Sequence, residues 1–170
     1  MAIAASDILL RLSGSSGNTD PNASIGGTMS TSTTVTDNTT HNLFDQVSGT
    51  ESNAGDTEYR GVYLKNTHGS LTLQNTKVYI SSNTGSADTT IDIALDGGAT
   101  DATMETLTNE DTAPSGETFS APTTYAGGLS IGSLTAGQKK GIFIRRTVTA
   151  GAAAVNDDAV TIKYDGDTAA

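Results

Sequence analysis

The stretch TEYRGVYLKN, residues 57–66, decides the fold. Read with a period of two, it sets Arg60, Val62 and Leu64 on one face and Tyr59, Gly61, Tyr63 and Lys65 on the other. Alternation of this kind, rich in β-branched and aromatic residues, is the pattern of a strand. It recurs along the chain. Leu71 and Leu73, then Val78 and Ile80 against Tyr79, alternate in LTLQNTKVYISS (71–82). Ile91, Ile93 and Leu95 oppose Asp92 in TTIDIAL (89–95). Leu129, Ile131 and Leu134 mark GLSIGSL (128–134), and Ile142, Ile144 and Val148 mark KGIFIRRTV (140–148). Val160, Ile162 and Tyr164 do the same in AVTIKYDG (159–166). A short strand is expected around residues 103–107. No window carries a helical stripe. AGAAAV (150–155) is too short and Gly-flanked for more than one turn.

Composition agrees. Apolar residues are only 35% of the 170, so the 19 Gly are needed to approach the usual globular share. Thr suits a pleated, half-buried surface, while Gly, Asn and Asp supply turns. The spacing of strands and turns predicts an all-β, two-sheet antiparallel sandwich. The corner LTAG (134–137) before the last strand pair favours an immunoglobulin-like arrangement, with a jelly roll as the alternative.

The chain opens differently. ILLRL (8–12) reads as a strand, and residues 13–27, with GSSGN and GG, read as a linker. The division expected is an extended N-terminal arm over 1–27 and a sandwich over 28–170. As a flexible tether, those fifteen residues would reach about 20–25 Å. Ile8, Leu9, Leu10 and Leu12 would then add to the sheet edge of another subunit. The competing expectation is that they fold back onto their own sandwich. MSTSTTVTD (29–37) reads as an edge strand, and Leu43, Phe44 and Val47 as a short apolar plug.

Charge excludes some partners. A net charge of −10 repels phosphate backbones and anionic membranes. With no Cys there are neither disulfides nor thiolate metal sites. No apolar run reaches membrane-span length, and the N-terminus lacks the basic and apolar regions of a signal peptide.

Catalytic and metal constellations are not found. His68 lies in the turn THGS, and His41 stands before the plug, neither with a partner at ligand spacing. No nucleophile elbow or phosphate loop occurs. Asp157, Asp158, Asp165 and Asp167 read as solvated loop acids. No cofactor, metal or enzymatic activity is expected. The basic residues Lys139, Lys140, Arg145 and Arg146, with Phe143 beside them, suggest a local positive and aromatic patch suited to an acidic partner subunit. For a sugar-binding module, Tyr59, Tyr63 and Tyr79 are the available aromatics.

The segments ASDILLRLSG (5–14), TEYRGVYLKNTHG (57–69), LTAGQKKGIFIRRTVTAG (134–151) and AVTIKYDGD (159–167) resemble small structural proteins of tailed-bacteriophage virions. Within that group the chain is most similar to capsid decoration, or cement, proteins. The resemblance implies a non-enzymatic protein assembled in the host cytoplasm onto the capsid exterior. It would bind the major capsid protein and neighbouring copies of itself, with a trimer expected. Tail, neck and baseplate accessory proteins share such sandwiches.

Overall fold

The computed structural model describes residues 2–168. Its strands are β1 (Ile8–Leu12), β2 (Gly26–Gly27), β3 (Asp56–Asn66), β4 (Leu73–Ser82), β5 (Thr89–Leu95), β6 (Met104–Thr106), β7 (Leu129–Leu134), β8 (Lys139–Val148) and β9 (Thr161–Thr168). One short helix, α1 (Gly49–Ala54), precedes β3. The strands form a four-stranded sheet in the order β1-β3-β8-β5, a three-stranded sheet β7-β4-β9, and a two-stranded ribbon β2-β6. Every pairing is antiparallel.

The two larger sheets face each other across the main core. Val62 and Leu64 of β3, Ile142 and Ile144 of β8, and Ile91 and Ile93 of β5 meet Val78, Ile80, Ile131 and Leu134 from the other sheet. This is the all-β sandwich that the alternation implies. β3 and β8 are also covered on their second face. Tyr59, Tyr63 and Phe143 pack there against Met104 and Leu107, with Ile25, Met29 and Phe119 at the margin. The ribbon therefore forms a partial third layer, and the two central strands are buried on both sides. Gly61 marks the closest approach. A Cβ there would lie 2.9 Å from the Gly26 nitrogen and 2.9 Å from Met104 Cε.

Two breaks in strict alternation are bulges. Leu73 and Val78 differ in parity, yet both enter the core. The β4–β7 and β4–β9 registers shift between residues 74 and 77, where Asn75 has φ 52°. Ile131 and Leu134 are reconciled in the same way around Gly132, φ 85°.

In the single chain, residues 8–12 pair with their own sheet. β1 pairs with β3 from Ile8↔Asn66 to Leu12↔Val62. Residues 13–27 are tied down by small polar side chains. Ser13 and Ser24 hydroxyls both donate to the Gly61 carbonyl at 2.6 Å, and Asn18 Nδ2 donates to the Ser13 carbonyl at 2.6 Å. Ser30 Oγ donates to the Asn18 carbonyl at 2.8 Å. Met1, Ala169 and Ala170, the outer ends of the two expected segments, lie outside the described residues. The Thr-rich stretch 29–37 runs along the outer edge of β1, with a single bridge between Arg11 and Thr34.

α1 forms although no window there carries a helical stripe. Ser48 and Glu51 form a reciprocal capping box at its start. Gly55, φ 79°, ends it.

Replacing Gly61 by Ala drives a methyl group into the β2 backbone. The expected loss of stability is about 1–3 kcal/mol, read from the urea unfolding midpoint at unchanged slope.

Candidate interaction surface

The residues expected at an interface are dispersed by the strand geometry. Ile8 and Leu12 point into the main core and are buried, while Leu9 and Leu10 are half-buried along β1. In the single chain this strand serves its own sheet. On β8, alternation sends Lys139, Phe143 and Arg145 to one face and Lys140 and Arg146 to the other. The five do not share one patch. Phe143 is fully buried between Tyr59, Tyr63 and Met104, which corrects its placement in an interface patch. The ribbon over the back of β8 is the cause.

Each of the four basic side chains is bound within the fold. Lys139 Nζ lies 3.2 Å from Asp101 Oδ1. Lys140 Nζ donates to the Asp96 carbonyl at 2.7 Å and also to that of Gly98. Arg145 pairs with Asp92 at 2.7 Å across β8 and β5, and its guanidinium lies 4.9 Å from the centre of the Phe119 ring. Arg146 enters a buried network with Arg60 and Glu58.

That network fills one end of the space between the sheets. Glu58, Arg60 and Arg146 are 2%, 0% and 6% exposed. Arg60 Nη2 meets Glu110 Oε2 at 2.5 Å and reaches Asn22 Oδ1 at 3.5 Å; its Nε donates to the Leu43 carbonyl at 3.2 Å. Arg146 Nη1 donates to the Asp45 carbonyl at 2.6 Å, and its Nη2 pairs with Glu58 Oε2. Phe44 lies against both guanidinium groups, at 5.3 and 4.9 Å. Among the described residues Arg146 Nε finds no hydrogen-bond partner. The plug read at Leu43, Phe44 and Val47 thus closes this end, with Leu43 in the main core. Placing Arg60 on the Val62 and Leu64 face was the sequence signal for a buried guanidinium. Nothing in the spacing announced Glu110 as its neighbour, or Asp45 as that of Arg146.

The outer face of the three-stranded sheet is more open. Tyr125 is 37% exposed; its hydroxyl donates to the Asn75 carbonyl at 2.8 Å, and Lys77 Nζ lies 5.2 Å from its ring centre. Tyr125, Asp165, Gly166 and Asp167 line a shallow depression of about 290 Å³. Tyr79 donates to Asp165 Oδ2 at 2.5 Å, and this bond to a carboxylate raises the pKa of its hydroxyl. Tyr59 and Tyr63 are buried and offer no platform for a sugar ring. Tyr125, which sequence reasoning passed over, is the aromatic that reaches the surface.

His68 behaves as the turn residue expected, its Nδ1 accepting from the Ser70 and Leu71 amides. His41 is exposed. Among the described residues no group of three or more His, Asp or Glu side chains is placed to hold a metal ion. No described helix is long and apolar enough to cross a membrane. Comparison with protein-family models, curated proteins and solved structures found no match to this chain.

Burial pushes the Glu58 carboxyl above the ordinary glutamate range; Arg146 and then Arg60 pull it down without cancelling that cost. A group raised on folding contributes stability below its unfolded pKa and loses that contribution as pH rises through the folded value. The unfolding free energy of the wild type relative to Glu58→Gln is therefore expected to increase as the pH falls from about 7 to about 4. Urea titrations of both proteins across that range measure it, and the opposite trend would show that the arginines dominate. Arg146→Met removes one partner from the buried network and is expected to cost about 3–5 kcal/mol.

Proposed function

We propose that this chain is a non-enzymatic structural protein of a tailed-phage virion, decorating the capsid exterior and reinforcing contacts between neighbouring subunits. The observation that carries the reading is the deployment of its scarce basic side chains. Arg60, Arg146, Arg145 and Lys140 each fasten separate segments of the fold to one another. Such bracing suits a rigid building block that acts through its outer surface. The net charge of −10 suits an exterior position, where packaged nucleic acid is not the partner. The resemblance of the strand and turn segments to decoration proteins supplies the particle.

A tail, neck or baseplate position would use the same scaffold. The depression beside Tyr125 favours a second reading, a glycan-binding or adhesive sandwich, because an exposed aromatic ring with nearby carboxylate acceptors can stack on and hydrogen-bond a sugar.

Sedimentation of the purified protein with empty phage heads, with isolated tails, and alone tests these readings. Co-sedimentation with heads that saturates at a fixed ratio per capsomer is the expected result. A protein that ignores heads but pellets with tails moves the site on the virion. One that ignores both removes the virion reading.

A further inference from the structure

Among the described residues the sandwich leaves one straight strand edge without a partner. β1 is covered along its outer side by residues 30–35, through Leu12 N to Thr33 O at 3.3 Å and Val35 N to Leu10 O at 2.7 Å. β5 is covered by Ser120, which exchanges backbone hydrogen bonds with Ile93 at 2.8 and 3.0 Å, and by the Asn83 amide on Ile91. β7 is short and kinked at Gly132, which blunts its edge. β9 differs. It pairs with β4 on one side, and among the described residues its other side receives no backbone hydrogen bond. The extra residues of the β4–β9 ladder, at Asn75–Thr76 and at Ser81, lie on β4, so β9 itself runs straight.

β9 is also the one strand with no buried residue. Ile162 and Tyr164 face the main core but stay half-buried. Beside them a groove of about 180 Å³, lined in part by Ile3, Ile8 and Leu73, remains open. An unpaired strand edge next to half-covered apolar side chains is a template for strand addition.

The charges of β9 identify the occupant. Lys163 and Asp165 flank Tyr164, point to the outer face and are exposed. Consider a second copy of β9 laid antiparallel with Tyr164 opposite the partner's Tyr164. Lys163 then stands opposite the partner's Asp165, and Asp165 opposite the partner's Lys163. The pattern is complementary to itself, as a two-fold interface requires. The next registers that keep the same faces outward set Lys163 against the partner's Lys163, or Asp165 against the partner's Asp165. The second also brings Lys163 opposite the partner's Asp167, but of these three registers only the one centred on Tyr164 has no like-charge pair directly opposite. On β4, Lys77 faces Asp165, its amine engaged by the Ala126 carbonyl and the Tyr125 ring, and the Tyr79 hydroxyl donates to Asp165 Oδ2; Asp167 accepts from Asn75 Nδ2.

We infer that two copies of this chain pair through β9 about a two-fold axis, joining their three-stranded sheets into one six-stranded sheet. The inference is independent of any particle, so its test and that of the capsid reading fail separately.

Analytical ultracentrifugation over a micromolar-to-millimolar range tests it, with circular dichroism melting to confirm that each variant folds. The wild type is expected to dimerise. Lys163→Asp and Asp165→Lys each place like charges in register and are expected to weaken the dimer at least about tenfold. An equimolar mixture of the two variants restores both opposite-charge pairs in a heterodimer and is expected to recover the wild-type affinity. Hydrogen exchange on the wild type gives a readout that needs no variant: protection at Ile162–Gly166 should rise with protein concentration. A monomer at every concentration, an oligomer indifferent to both substitutions, or a mixture that does not recover would overturn the inference.

Discussion

Burial of the Arg60 guanidinium is the constraint on which much of the irregular structure depends. A buried cation is tolerated only when its donors are met, since desolvation costs several kcal/mol. Arg60 meets them from the Asn22 side chain, the Leu43 and Tyr59 carbonyls and the Glu110 carboxylate. These partners come from four separate segments. Arg146 adds the Asp45 carbonyl and the Glu58 carboxylate. Loops that share no ladder are thereby gathered over one end of the sandwich, with Phe44 as the cover. The arrangement is not an economical source of stability, because well-packed apolar residues of similar volume often do as well or better. What it supplies is direction: the charges accept these loops in one geometry.

A second constraint acts through the central strands. β3 and β8 are buried on both faces, so both alternate sets must pack. The face toward the β4 sheet is aliphatic, with Val62, Leu64, Ile142 and Ile144. The face toward the ribbon is aromatic, with Tyr59, Tyr63 and Phe143, and Gly61 between them lets the β2 backbone come close. The Tyr63 hydroxyl then becomes part of the layer, donating to the Gly27 carbonyl at 2.5 Å and accepting the Met104 amide at 2.7 Å. One buried phenol thus holds both strands of the ribbon. This explains how a two-residue strand survives: it is fixed by a side chain from the sheet beneath it.

Much of this was legible in the sequence where periodicity is the governing signal. The alternating sets of residues 57–66, 89–95 and 140–148 lie on the faces their spacing gives them. Residues 103–107 were readable as a short strand, whereas the Thr-rich stretch, read as an edge strand, lies along β1 with only the isolated Arg11–Thr34 bridge. Legibility stops where side chains bond to distant backbone. Ser13, Asn18, Ser24 and Ser30 have the composition of a flexible tether, yet each is buried and bonded in the fold. Local composition registers small polar residues but not the Gly61 carbonyl that receives two of them. The capping box at Ser48 and Glu51 is a local signal that a reading by strand periodicity passes over. Phe143 was placed correctly by face, but the layer covering that face is assembled from segments 80 or more residues earlier and about 40 earlier, which no local pattern connects.

The position of β9 ties these observations together. The chain's other long strands gain buried residues because both sheets, or the ribbon, cover them. β9 arrives last, after a wide loop, and finds one neighbour on β4 and the N-terminal residues at its far end, where Ile3 N donates to Thr168 Oγ1 and Tyr164 donates to the Ile8 carbonyl. Its charges are placed outward and spaced by two, so they blunt association with an arbitrary strand while matching an antiparallel copy of the same sequence. Charge on an edge strand usually serves only to prevent pairing. Here the order Lys163-Tyr164-Asp165 makes the same charges selective, which allows an open edge to persist on an acidic protein without inviting indiscriminate aggregation.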